Sequence, residues 1–115
     1  MAGKYKIVYT NSSRKDMRQM RNYIVKTFKY REYGVNFSKK IKEGVNKIAN
    51  APLGYQQIEL EYRGYDIRML VHKTYLLFYI VDFRQRSITI LRILQGGMDW
   101  MRIIKKWLRE HEEDD

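Results

Sequence analysis

The chain predicts an α+β domain: a strand, an antiparallel helical hairpin packed on a mostly antiparallel sheet, and a closing helix. Three observations carry this. Two stretches in the first half repeat apolar residues at helical spacing, and four runs in the second half are rich in β-branched and aromatic residues. The gaps between those runs are too short for helical crossovers. At 115 residues the chain is one domain, spanning 1–115. With 44% apolar and 31% charged residues and a single proline, it can bury enough surface to offset its ordering entropy.

Tyr5 to Thr10 is short, β-branched and aromatic, and reads as a strand. A helix follows. Ser13 and Asp16 have the spacing of a capping box, with Asn11 or Ser12 as alternative caps. Met17, Met20, Ile24 and Phe28 then form one apolar stripe, while Arg14, Lys15, Arg18, Arg21, Lys26 and Lys29 cover the remaining surface. Tyr33-Gly34 is expected to break this helix. A second stripe, Phe37, Ile41, Val45 and Ile48, runs to Asn50-Ala51-Pro52-Leu53-Gly54. The strand-like runs are Ile58–Tyr62, Tyr65–His72, Tyr75–Asp82 and Ser87–Leu94, joined by Arg63-Gly64, Lys73-Thr74 and Phe83–Arg86. Strict alternation in the last run puts Ile88, Ile90, Arg92 and Leu94 on one face, and Leu91 and Ile93 on the other. The hairpin covers one sheet face only. The other is then a shallow concave surface, or is masked by a partner or by the last helix, Met98–Arg109, with docking of that helix preferred. Trp100, Ile103, Ile104, Trp107 and Leu108 form its apolar side. Glu110–Asp115 is an acidic tail.

Composition narrows function further. Without cysteine there is no disulfide framework, no Cys-based zinc site and no thiol nucleophile. No apolar run approaches the roughly 20 residues of a membrane span, and the N-terminus lacks a signal-peptide core, so a cytoplasmic protein is expected. The net charge of +10 is concentrated early: residues 1–50 hold 13 Lys/Arg against 3 Asp/Glu, whereas 98–115 hold 4 against 6. Such a one-sided field suits nucleic acid, an acidic protein or simply a solvated helix face.

The order of elements, with Asn50-Ala51-Pro52-Leu53-Gly54, Arg68, Tyr75-Leu76-Leu77-Phe78-Tyr79-Ile80-Val81-Asp82 and Ile90-Leu91-Arg92-Ile93-Leu94-Gln95-Gly96-Gly97-Met98-Asp99-Trp100, resembles the RelE/ParE superfamily of toxins. The resemblance spans nearly the whole chain. It implies the toxin of a type II toxin-antitoxin, plasmid- or chromosome-stabilising module, which arrests growth, needs no cofactor or metal, and is neutralised by a cognate antitoxin. One branch cuts messenger RNA on the ribosome with a cluster of basic side chains. Of that cluster Arg68 matches a position, and Lys73, Arg92 and Arg102 are candidates to complete an anion site. Leu76 stands where many of those nucleases carry arginine, Gly96-Gly97 where they carry a basic pair, and Gln95 where many carry histidine. His72 is the one histidine inside the fold and is read as structural or exposed in preference to catalytic. The alternative for Arg92 is an ion pair with Asp66 or Asp82. These departures favour the ParE-like branch, which inhibits DNA gyrase by binding; the alternatives are the ribosome-dependent nuclease and a basic nucleic-acid-binding module. Arg18, Arg21, Arg68, Arg92, Trp100 and Trp107 are the candidate contacts to antitoxin or target.

Overall fold

The computed structural model describes residues 4–111, so most of the acidic stretch, 112–115, lies outside the described residues, while Glu110 and His111 belong to the last helix. The elements are β1 (Lys6–Tyr9), α1 (Asn11–Phe28), α2 (Arg31–Asn50), β2 (Gln56–Tyr62), β3 (Tyr65–His72), β4 (Tyr75–Asp82), β5 (Ser87–Gln95) and α3 (Trp100–His111). They form one sheet in the order β1-β5-β4-β3-β2, antiparallel except for the β1–β5 pair. The short connections expected from Arg63-Gly64 and Lys73-Thr74 are hairpin turns, with positive φ at Arg63, Gly64 and Lys73 as such turns require.

Both faces of the sheet are covered. Phe37, Ile41, Val45 and Ile48 of α2 and Met17, Met20 and Ile24 of α1 pack on Leu70, Leu77, Tyr79, Ile88, Ile90 and Ile93. On the opposite face Ile104 and Trp107 of α3 are buried against Ile67, Phe78, Leu91 and Leu94. Of the alternatives for this second face, the preferred one holds: α3 docks there and covers it. Trp107 anchors it: its ring stacks on Tyr62 with centroids 5.4 Å apart, and its Nε1–H donates to Ser12 Oγ at 2.8 Å.

Four local expectations change. The α1 cap is Thr10, whose Oγ1 accepts from the Ser13 N–H at 3.0 Å, so Ser13 and Asp16 form no capping box. The helix break falls at Lys29, left-handed at φ 61°, not at Tyr33-Gly34. Gly34 lies inside α2, where a Cβ would meet Val25 Cγ2 at 2.7 Å, so α1 packs closely against it. Phe28 is 54% exposed, so it does not belong to the core stripe. In β5, register passes from Ile90 opposite Tyr79 to Arg92 opposite Phe78, leaving Leu91 as the extra residue of a bulge. The bulge inverts the alternation, so Ile93 joins Ile88 and Ile90 while Leu91 and Leu94 face α3.

Candidate functional site

The four cations proposed for an anion site are not brought together. Arg68 and Arg92 sit opposite consecutive β4 residues, Tyr79 and Phe78, whose side chains belong to opposite faces of the sheet. Lys73 lies in the β3–β4 turn, exposed. Arg102 is exposed in the first turn of α3, where Asp99 accepts from its backbone N–H at 3.4 Å, a long capping contact.

Arg92 is committed to the fold. Its Nε and Nη2 donate to the two carboxylate oxygens of Asp16 at 2.7 and 2.9 Å, and both side chains are largely buried. The partner is Asp16 of α1 and not Asp66 or Asp82, because Asp82 accepts from the Tyr65 hydroxyl at 2.9 Å and from the Gln85 N–H. Those two hydrogen bonds, first the backbone one, hold the Asp82 carboxyl below the usual carboxylate range.

Arg68 is half-buried and donates from Nη1 to the Tyr55 carbonyl at 2.8 Å. Across the strand pair Tyr79 donates its hydroxyl to the Pro52 carbonyl at 2.7 Å, so both side chains pin the loop that follows α2. Burial pushes the Tyr79 phenol up to about 12, against the smaller opposing influence of Arg68, so it holds its proton throughout the physiological range. The depression beside Arg68, about 400 Å³, is lined by Asp66, Asp82 and Arg84 as well. Mixed charge makes it a poor phosphate cradle.

The positions that set the two branches apart are equally informative. Leu76 is 7% exposed and packs with Leu94 in the core under α3. Gly96 donates its N–H to the Thr74 carbonyl, at the point where a Cβ would press on that oxygen at 3.1 Å. Gln95 lines an open groove of about 930 Å³ between the helical hairpin and the β3–β4 turn, with Lys73, Tyr75, Lys39 and Lys40. His72 is buried beneath α2, where Gly44 gives it room. Its Nε2 lies 3.5 Å from Glu43 Oε1 and makes no hydrogen bond. Arg18 and Arg21 are exposed and line a second groove of about 450 Å³ between α1 and α2, with Tyr9, Phe37, Ile41 and Lys42. Of the two tryptophans, Trp107 is sequestered between α3 and the sheet and Trp100 is half-buried against Phe78.

The whole-chain comparison agrees with this architecture. The model for the ParE toxin of type II toxin-antitoxin systems, parDE, matches residues 7–100, from β1 to the start of α3. The chain belongs to the ParE toxin family. Among solved structures it is similar to the chromosomal ParDE toxin-antitoxin system of Pseudomonas aeruginosa, with a TM-score of 0.64 and 18% identity over 81% of this chain and 97% of that one. It is also similar to the RelBE2 toxin-antitoxin complex of Mycobacterium tuberculosis (TM-score 0.56, 18% identity, 81% and 99% covered). A third likeness is to an Escherichia coli RelE toxin mutant in the free state (TM-score 0.56, 15% identity, 95% and 99% covered). At these identities the structures share the fold. No curated protein sequence matches. In this ParE-family toxin the Asp99-Trp100 pair that ends the matched region starts α3: Asp99 caps it and Trp100 closes on Phe78.

Two features escaped the sequence reading. The Asp16–Arg92 pair joins residues 76 apart and left no local signal. The exposed rings of Phe28, Tyr30 and Tyr33 at the hairpin tip did leave one, in the aromatic-charge alternation Phe28-Lys29-Tyr30-Arg31-Glu32-Tyr33.

Proposed function

We propose that this toxin acts by binding and not by cleaving, as an inhibitor of DNA gyrase, and that a cognate antitoxin holds it inactive. The dispersal of its cations supports this reading. Cleaving RNA through a 2'-hydroxyl requires a group to take the proton, a group to protonate the leaving oxygen and convergent cations to stabilise the phosphorane. Here Arg92 is occupied by Asp16, Arg68 is tied to the Pro52–Tyr55 loop, Tyr79 keeps its proton and His72 lies under α2. Leu76 in the core puts no guanidinium where a nuclease of this superfamily would need one.

Supercoiling assays with purified gyrase test it: the toxin should block supercoiling and trap cleaved DNA. Untouched supercoiling together with new 5' ends on translated transcripts in primer extension would transfer the chain to the ribosome-dependent nucleases. The antitoxin is expected to present acidic side chains to the basic hairpin. Charge reversal at Arg18 and Arg21, beside the groove between α1 and α2, should then slow association at low salt.

A further inference from the structure

At the tip of the helical hairpin three aromatic rings stand in solvent: Phe28 is 54% exposed, Tyr30 59% and Tyr33 45%. They pack on one another, Phe28 to Tyr33 with centroids 5.3 Å apart and Tyr30 to Tyr33 at 5.9 Å. The sharp left-handed turn at Lys29 creates the cluster, since it ends α1 at Phe28 and restarts the chain as α2 at Arg31. Burying three such rings in the chain's own core would have been strongly favourable, so leaving them together on a protruding corner marks an interaction surface. Lys26, Lys29 and Arg31 are exposed and adjacent to the three rings in sequence, with Glu32 as the one acid between residues 26 and 33. The apolar surface continues into the 930 Å³ groove through Tyr23, itself 66% exposed, with Lys39, Lys40 and Lys73 along it against one acid, Glu43.

We infer that the Phe28–Tyr30–Tyr33 corner is the surface by which the toxin engages its target, and that the target is a protein presenting an apolar notch rimmed by acidic side chains. The inference rests on the reading of a toxin that works by binding. Charge complementarity sets the rim, because a cationic surround attracts and orients a carboxylate-bearing surface. Ring geometry separates protein from nucleic acid. The Phe28 and Tyr33 rings are tilted at 46° and the Tyr30 and Tyr33 rings meet edge to face at 62°, so the cluster does not present the parallel aromatic faces on which successive bases stack. Aromatic side chains ringed by charge are also the residue types that dominate protein interface energetics.

The test uses the full chain and two double variants, Tyr30→Ser/Tyr33→Ser and Lys29→Glu/Arg31→Glu, compared by thermal melting, growth arrest on expression, gyrase inhibition and binding to a single-stranded oligonucleotide. All four positions are exposed, so both variants should melt like the parent. The ring variant should lose growth arrest and need at least about tenfold more protein to inhibit gyrase, as expected of hot-spot truncation. The charge variant should weaken inhibition most at low salt. If folded variants arrest growth as the parent does, the inference fails while gyrase inhibition by the parent still stands. If the parent leaves gyrase untouched yet the ring variant loses arrest, the corner keeps its role and the gyrase reading falls. Parallel loss of arrest and of oligonucleotide binding would overturn the protein target in favour of nucleic acid.

Discussion

Asp16 does for β5 what a neighbouring strand would do. Its Oδ2 accepts the Ile93 N–H at 3.0 Å while its two oxygens accept from Arg92 at 2.7 and 2.9 Å. β1 ends at Tyr9, opposite Ile90, so the rest of β5 has no strand on that side. The first turns of α1 take its place: the Thr10 N–H donates to the Ile90 carbonyl, the Thr10 hydroxyl to the Leu91 carbonyl, and Asp16 receives Ile93. The same turn reaches α3 through Ser12, so this edge couples both cores.

Substitutions at this pair should therefore be ranked. Asp16→Ala leaves a largely buried guanidinium and a backbone N–H without acceptors, and should cost about 3 kcal/mol or more. Arg92→Met removes the cation but leaves the carboxylate its Ile93 hydrogen bond, and should cost about 2 kcal/mol. The double variant should cost less than the sum. Urea denaturation of the four proteins reads these values, and additive costs would show the pair to be uncoupled.

Gly34→Ala should destabilise the toxin by about 1 to 3 kcal/mol, although alanine is the better helix former by about 1 kcal/mol. The new methyl would lie 2.7 Å from Val25 Cγ2, closer than real contacts permit, and Val25 is a stiff β-branched residue on the facing helix. Adding Val25→Ala should restore most of the loss. A stabilised single variant, seen as a rise in melting temperature, would mean that α1 and α2 separate at little cost.

These two sites explain what the sequence could and could not disclose. β3 and β4 begin and end where alternation and turn residues place them, because in an antiparallel meander those signals are local. The helix break was displaced because a glycine that permits close packing and a glycine that stops a helix look alike without the facing helix. Alternation assigns the faces of β5 correctly as far as Leu91 and inverts them beyond it, because a bulge shifts alternation by one residue and Leu91 carries no mark of it. The anion cluster dissolved for a related reason. Spacing offers Arg92 an anion site or an acid on a neighbouring strand, and only the fold brings Asp16 to it.

Trp107→Ala should release α3. The ring stacks on Tyr62, is 4% exposed and holds Ser12, so its loss opens the core and should cost about 3 to 5 kcal/mol. The exposed face would be that of Phe78, Leu91 and Leu94, detectable as binding of an apolar dye and as faster amide exchange in α3 than in α1. Ser12→Ala should cost only about 1 to 2 kcal/mol, by orphaning the indole N–H. Equal losses would mean that the hydrogen bond, not the ring, holds the helix.

Tyr79 gives a pH test of the loop that joins α2 to the sheet. Its folded pKa is raised to about 12 from an ordinary value of 10.0, first by burial. Between these two values the folded chain holds a proton that the unfolded chain has released, so the stabilisation is complete below pH 10 and declines as pH rises towards 12. Tyr79→Phe removes the hydroxyl that binds the Pro52 carbonyl and should cost about 1 kcal/mol near neutral pH. Because phenylalanine does not titrate, the difference between parent and variant should shrink above pH 10 and close before about pH 12, with every other alkaline titration cancelling in the comparison. Parallel stability curves across that window would show that the phenol is not held in the protonated form by its surroundings.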